Sequence, residues 1–468
     1  MISQIFVLGP RGDILIFRDF KSDIPKSSTE VFFRKAKFWD GKGKNAPPAF
    51  QADGVQYLHI KVAGLFWVAT TRENVSPSLV LELLQRIYWI ARDYFGHVSE
   101  EVIRKNFLLV YELLDEILDY GLPQNSSTER LKQFIVMEPL VVKPRVPSGR
   151  AALRLGGSAA GPTEVVKSVL DTARTGAKEE IFVDIVEKLT AIFDAGGHQK
   201  SGSIVGAIQV KSYLTGNPPI KVGLSENLIL GKRDQRMYSS YGSESDLVVL
   251  DSYSLHENVD QQAFDGERVM QLVPPEGHFA LMTYRSSRSF RPPFRVYPLM
   301  EDDMYSGDKL TLYLRLLAEY PPTKAATGVE VVVPMPRAVQ RVHFETDSEE
   351  EEGRGKLLPL PGKGGGAAFE QSAEWLERER KVVWGLKHLK GGREHTLRAR
   401  LTLEPGSVEQ VKRDYGPIML HFVLPGKPSA SGLDVKYMRI LKEEKGYNPA
   451  RWFRVVAMAN SYQIRPHT

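Results

Sequence analysis

A chain of 468 residues with 42% hydrophobic and 25% charged residues has the makeup of a globular protein with room for roughly two to four domains. It contains no cysteine, which excludes disulfides, thiolate metal sites and cysteine nucleophiles. A formal charge of +5 and a pI near 9.0 suit an anionic membrane surface, an acidic partner or nucleic acid without choosing among them.

The opening Met1–Leu8 has no basic leader and meets Gly9-Pro10 too early for a signal peptide. No apolar run approaches the ~18–20 residues of a membrane span. The expectation is a cytosolic protein whose membrane contact is peripheral. Ile5–Leu8 and Ile14–Phe17, split by Gly9-Pro10-Arg11-Gly12-Asp13, predict a hairpin, and Thr29–Lys37 a short helix. Lys42–Asp53 reads as a loop. Tyr57–Val62 and Leu65–Thr70 flank Ala63-Gly64 as a second hairpin.

The period then changes. Leu79, Val80, Leu83, Leu84, Ile87, Ile90 and Ala91 form a helical stripe that Gly96 ends, with Pro77 tolerated in its first turn. Val102 to Leu118 reads as a second helix, stopped by Gly121 and Pro123, and Thr128–Val136 as a third. Strands followed by segregated helices predict an α+β domain over residues 1–140. Residues 141–178, rich in Gly and Pro, read as a flexible linker. From 179 to 468 many short apolar runs alternate with Gly and Pro, which predicts an all-β domain too large for one sandwich and hence two joined β subdomains. Within it, 346–368 holds Glu349-Glu350-Glu351-Glu352 and a Gly-rich tract, and reads as a disordered insertion.

Catalytic patterns are missing. There is no His-Glu-x-x-His, no Gly-x-Ser-x-Gly and no P-loop; Gly362-Lys363-Gly364-Gly365-Gly366 has its lysine in the wrong place. Asp302-Asp303 reads as a solvated charge pair. No enzyme, no metal and no cofactor is expected. The basic pI alone motivates a nucleic-acid reading, and neither an aromatic RNA-binding run nor a compact basic helix supports it.

Several stretches, in fixed order, carry a resemblance. Met1–Leu8 with Arg11-Gly12-Asp13, Thr71–Ser78 and Leu109–Tyr120 resemble a longin-type N-terminal domain. Ile181–Glu187, Val210–Pro218, Val435–Arg439 and Tyr447–Arg454 resemble the C-terminal mu homology domain. Together they resemble the medium (mu) chains of the heterotetrameric adaptor complexes of vesicle coats, most closely those of the fourth complex.

The resemblance implies a longin-like α+β domain, a linker and a two-subdomain β-sandwich that selects transmembrane cargo. It implies two large and one small adaptor subunits as partners, with the cytosolic tails of cargo, and a place on trans-Golgi network and endosomal membranes. Anionic lipids are a further expected partner, through clusters such as Lys35/Lys37 and Lys442/Lys445.

Carried over residue by residue, the pocket for the tyrosine of a Tyr-x-x-hydrophobic signal falls on Phe182, Asp184, Lys211, Trp452 and Arg454. The residue types suit a phenol: Asp184 accepts from its hydroxyl, Arg454 and Lys211 donate to it, and Phe182 and Trp452 offer aromatic walls. Strand alternation puts Phe182 with Asp184 and Trp452 with Arg454, and turns Ile181, Val183, Phe453 and the stem of Arg451 to the other face. Val435 and Met438, carried over from the family, join that apolar side. An extended peptide sends residues three apart to opposite faces, so one polar-aromatic and one apolar pocket fit such a ligand.

Fourth-complex chains also resemble one another in a second site for an aromatic, acidic tyrosine signal, which falls on Leu255, Asp265 and Thr283. Only the acid matches in type, and Arg285 lies two positions from Thr283. The alternative reading is a structural adaptor subunit that does not bind the Tyr signal.

Overall fold

The computed structural model describes residues 1–39, 46–135, 137–140, 142, 179–225, 227–231, 247–303, 308–346, 371–442 and 447–466. Nearly all of the expected linker and of the expected insertion lies outside them. The N-terminal sheet runs β2-β1-β5-β4-β3, with β1 Gln4–Leu8, β2 Ile14–Asp19, β3 Ala49–Ala52, β4 Val55–Val62 and β5 Leu65–Thr71. The interior strand β1 is buried on both faces, which explains its unbroken apolar run. Phe6 and Leu8 pack with Phe32 of α1 (Ser28–Lys37). Ile5 and Val7 face the opposite layer, made by α2 (Pro77–Phe95), α3 (Glu100–Lys105), α4 (Phe107–Ile117) and α5 (Thr128–Phe134). A minimal hairpin, β6 Leu118–Asp119 and β7 Leu122–Pro123, follows α4.

Two sequence expectations change here. The segment read as a loop contains β3, paired with β4 through Asp53-Gly54, both at positive φ. That dipeptide is a strong hairpin signal, masked because only Phe50 of the edge strand is buried. The single helix expected from Val102 to Leu118 is broken at Asn106. The Asn106 side-chain amide donates to the carbonyls of Val102 (3.0 Å) and Leu140 (3.2 Å), while its oxygen accepts from the Leu140 N–H (2.7 Å). A buried amide that satisfies a returning chain is worth more than helical continuity at that position.

The C-terminal half is built on a nine-stranded sheet in the order β13-β15-β9-β8-β25-β23-β18-β21-β20. Its strands are β8 Glu180–Asp194, β9 Gln199–Tyr213, β13 Ser252–Leu255, β15 Gly277–Ser286, β18 Ala325–Pro334, β20 Gln371–Leu376, β21 Lys381–Lys390, β23 Ile418–Pro425 and β25 Ala450–Arg465. A three-stranded sheet, β14-β10-β24 (Val269–Leu272, Ile220–Leu224, Val435–Ile440), covers one end. A four-stranded sheet, β16-β17-β22-β19 (Phe294–Asp302, Lys309–Ala318, Glu394–Leu403, Val339–Thr346), covers the other. The short parallel pair β11 Leu228–Leu230 and β12 Val248–Leu250 joins the first core. Among the described residues this half also holds two helices, α6 Gln261–Glu267 and α7 Val408–Asp414.

Two cores result, as expected of joined β subdomains. One holds Ile181, Val183 and Ile185 of β8; the other holds Leu189, Ala191 and Phe193 of the same strand. β8 therefore threads both sandwiches, and so does β25, through Val455 in the first core and Tyr462 and Ile464 in the second. The two halves of the chain also touch. Trp89 of α2 stacks on His278 of β15, and Lys132 of α5 pairs with Glu276.

Candidate functional site

β8 and β25 pair in parallel, setting Trp452 beside Phe182 and Arg454 beside Asp184. β9 lies antiparallel on the other side of β8, setting Lys211 opposite Phe182 and Gln209 opposite Asp184. Directly paired residues project from the same face of a sheet. Trp452, Phe182 and Lys211 thus form one row, which His278 of β15 extends. Arg454, Asp184 and Gln209 form the next.

The contacts follow from the register. The Arg454 guanidinium donates twice to the Asp184 carboxylate, Nε to Oδ1 at 2.6 Å and Nη2 to Oδ2 at 2.5 Å. Its Cζ lies 5.8 Å from the centre of the Phe182 ring. Phe182 and Trp452 are parallel within 11°, with centroids 6.3 Å apart. Phe182 and Asp184 are buried while Trp452 is 52% exposed, so the aromatic wall stands open on one side. Tyr213 meets Phe182 edge-on at 6.2 Å. Sequence reasoning assigned no role to Tyr213 or Gln209, although the spacing Gln209-Lys211-Tyr213 places all three on one strand face.

The other face is apolar. Ile181, Val183, Val435 and Met438 are buried in one core, and Phe453 is partly exposed. A shallow cleft there, closed to a water-sized group, is lined by Val183, Ile185, Val435, Phe453 and Val455 together with Lys427, Asp434 and Arg454. Arg451 lies flat along this side, donating to the Met438 carbonyl (3.3 Å) and the Asn448 side chain (3.0 Å).

Between the two pockets runs a free strand edge. β23 joins β25 only from Val456 onward, and no strand among the described residues pairs with the outer edge of Arg451–Phe453. The Val455 carbonyl accepts from the Gly426 N–H on that side. Alternation therefore aims the N–H and C=O of Phe453 and Arg451 outward as well. An unpaired edge with backbone donors and acceptors is a template for one more strand.

The expected second site does not converge. Thr283 of β15 pairs with Ser254 and is exposed, whereas Leu255 pairs with Met282 and packs inward against the first core. Leu255 and Thr283 lie on opposite faces of the sheet. Asp265 of α6 is instead within 3.4 Å of the Tyr253 hydroxyl. Arg285 does share the exposed face with Thr283. Among the described residues, no cluster of three or more His, Asp or Glu side chains could hold a metal ion, and no helix is long and apolar enough to cross a membrane.

The profile of the adaptor complexes medium subunit family matches residues 169–466, a span that contains every residue of the groove. The chain belongs to this family. It is 44% identical to the AP-4 complex subunit mu of Arabidopsis thaliana, over 99% of this chain and 100% of that one. It is 32% identical to the AP-4 complex subunit mu-1 of Homo sapiens over the same shares. It also superposes, with a TM-score of 0.56 and 14% identity over 99% of this chain and 100% of the other, on a chain of a homology model of the full-length AP-3 complex in an intermediate open conformation; that likeness concerns the fold. As an adaptor medium subunit similar to those of AP-4, the chain is a component of vesicle trafficking.

Proposed function

We propose that this medium subunit selects transmembrane cargo by binding Tyr-x-x-hydrophobic signals of cytosolic tails as a strand added to the free edge of β25. The reading rests on one observation. Across a single unpaired edge, Phe182, Asp184, Lys211, Trp452 and Arg454 gather on one face, and Val183, Val435 and Phe453 on the other. The tyrosine ring lies against Phe182 and Trp452, with its hydroxyl between Asp184 and Arg454, whose fork leaves further lone pairs on the carboxylate. Three positions on, the hydrophobic residue lies against the cleft beside Val435 and Phe453, which opens to receive it. Lys211 raises the local positive charge and favours tails with acidic flanks.

Two side-chain pockets and a few backbone bonds supply an affinity near ~10 μM, about −7 kcal/mol, which suits reversible sorting. The family setting supports partnership with two large subunits and one small subunit, action on Golgi-to-endosome carriers, and peripheral contact with anionic membranes. Calorimetry of the full-length chain with a Tyr-x-x-Leu peptide tests the groove. Binding is expected for the native chain, with loss on Asp184→Ala or on Tyr→Ala in the peptide. Equal heats from all three overturn cargo selection here and leave a structural adaptor subunit.

A further inference from the structure

The inward face of β8 reads Ile181, Val183, Ile185, Glu187, Leu189, Ala191, Phe193. Six of the seven are apolar core residues; the fourth is a carboxylate with no exposed surface, placed where the first core gives way to the second. Isolated carboxylates do not stay buried without donors. Here the donors are the Tyr284 hydroxyl (2.8 Å), the backbone N–H groups of Ala430 (2.6 Å) and Ser431 (3.3 Å), and the Ser431 hydroxyl. No cation among the described residues pairs with it.

The Tyr284 donor comes from two strands away. Tyr284, Gly206 and Glu187 are register partners across β15, β9 and β8. A Cβ on Gly206 would sit 2.1 Å from the Tyr284 ring, so glycine there lets the phenol cross β9 to the carboxylate. The remaining donors all belong to the 426–434 segment. That segment is folded back on itself by Ser429 Oγ donating to the Leu433 carbonyl (2.7 Å) and by the Leu433 N–H donating to Ser431 Oγ (3.2 Å). Leu433 drops into the first core and Ala430 packs on the second. Near the two ends of the segment, Lys427 and Asp434 are joined by a 2.6 Å ion pair and line the same cleft, next to Val435.

We infer that Glu187 is a positioning residue for the hydrophobic-residue pocket: it holds the 426–434 segment from behind and so fixes the cleft wall that selects the fourth residue of the signal. The inference rests on the groove reading proposed above. Charge-assisted hydrogen bonds to backbone N–H groups are strong and directional, so this carboxylate sets the segment's distance from Val183 and Phe453. It touches neither the tyrosine pocket nor the peptide. Its loss therefore changes selectivity at the hydrophobic position and leaves selectivity at the tyrosine.

The test measures binding of Tyr-x-x-Leu, Tyr-x-x-Ala and Ala-x-x-Leu peptides to the full-length chain by fluorescence anisotropy, with hydrogen exchange at the Ala430 and Ser431 amides alongside. The native chain is expected to prefer Leu over Ala by at least ~10-fold, the scale of a hydrophobic pocket that loses several methylenes. Glu187→Gln should reduce that preference to within about three-fold, keep the Tyr-over-Ala ratio, and speed exchange at both amides. Ser431→Ala, a milder change in case the buried substitution impairs folding, should shift the same ratio in the same direction. An unchanged Leu-over-Ala ratio in both Glu187→Gln and Ser431→Ala overturns the inference. If the native chain binds none of the peptides, the groove reading itself fails and the inference with it, whatever the exchange data show.

Discussion

Trp89 of α2 lies flat on His278 of β15, with ring centroids 4.7 Å apart and planes within 12°. His278 is register partner to Lys211, which is partner to Phe182, so the N-terminal helices dock on the same sheet face as Phe182, Asp184 and Trp452. The joint is finished by Asp93, which accepts from the His278 N–H (3.3 Å) and from the Thr128 hydroxyl (3.1 Å). Gly277 is required at this point: its φ is +83°, and a Cβ would stand 2.7 Å from the Asp93 carboxylate. Gly277→Ala and Trp89→Ala should each loosen the joint. Aromatic pairs contribute about 0.5–1.5 kcal/mol beyond area burial, so hydrogen exchange at the 277 and 278 amides should accelerate ~3–10-fold in Trp89→Ala, with the sandwich cores unaffected.

The same joint carries two opposed pH responses. Burial, countered by the Thr128 hydroxyl and by Arg86, pushes Asp93 up to about 6. Burial, reinforced by the charges of Lys211 and Arg92, pulls His278 down to about 3. For Asp93 the folded chain holds the proton more tightly, so its stabilising share is full below the ordinary carboxylate range and is lost as pH rises through about 6. For His278 the unfolded chain holds the proton more tightly, and stability is lost as pH falls from about 6.5 towards 3. Chemical unfolding between pH 4 and 8 should therefore show Asp93→Asn more stable than native at pH 7.5, by up to ~3 kcal/mol for a carboxyl pushed up to about 6. The advantage should vanish by pH 4. His278→Gln should reduce the acid loss instead.

His59 makes a separate prediction. Its ring sits among Phe32 (5.1 Å), Phe50 and Phe66, its Nδ1 has no partner, and burial followed by the nearby Lys61 charge lowers it to about 4. Protonation on unfolding makes it a source of acid lability as pH falls from about 6.5 to 4. His59→Phe should raise thermal stability modestly at pH 7, by ~1 kcal/mol for removing one buried unsatisfied nitrogen. The gain should be larger at pH 5 in a melting series.

At the groove, the partner of Arg454 decides how charge is read. A phosphotyrosine brings nearly two negative charges towards Asp184, so phosphorylating the signal should weaken binding by at least ~10-fold, more than two Asp184-independent contacts could offset. Asp184→Asn should narrow the gap between the phosphorylated and plain peptides. Arg454→Lys keeps the charge but loses the bidentate fork, and should bind the plain peptide more weakly in the same titration.

What could be read from sequence divides along physical lines. The two faces of β8 and β25 follow from a period of two, and the pairing of their residues came through a family resemblance; propensity alone places Phe182 and Trp452 in a core. Asn106 looked like one polar position in an amphipathic helix, because the chain it bonds returns 34 residues later. Glu187 stood in plain sight within an apolar alternation, yet nothing local announces a donor 243 residues away. Leu255 and Thr283 were aligned by position, and the register that separates their faces is set by β15. Local chemistry was legible; partners distant along the chain were not.

The parallel pairing of β8 with β25 has a consequence for biosynthesis. Asp184 and Arg454 are 270 positions apart, so on a translating ribosome the first half of the groove waits, solvent-facing, until the closing strand leaves the exit tunnel. A product terminated before Ala450 lacks β25, the strand that pairs with β8 along its whole length.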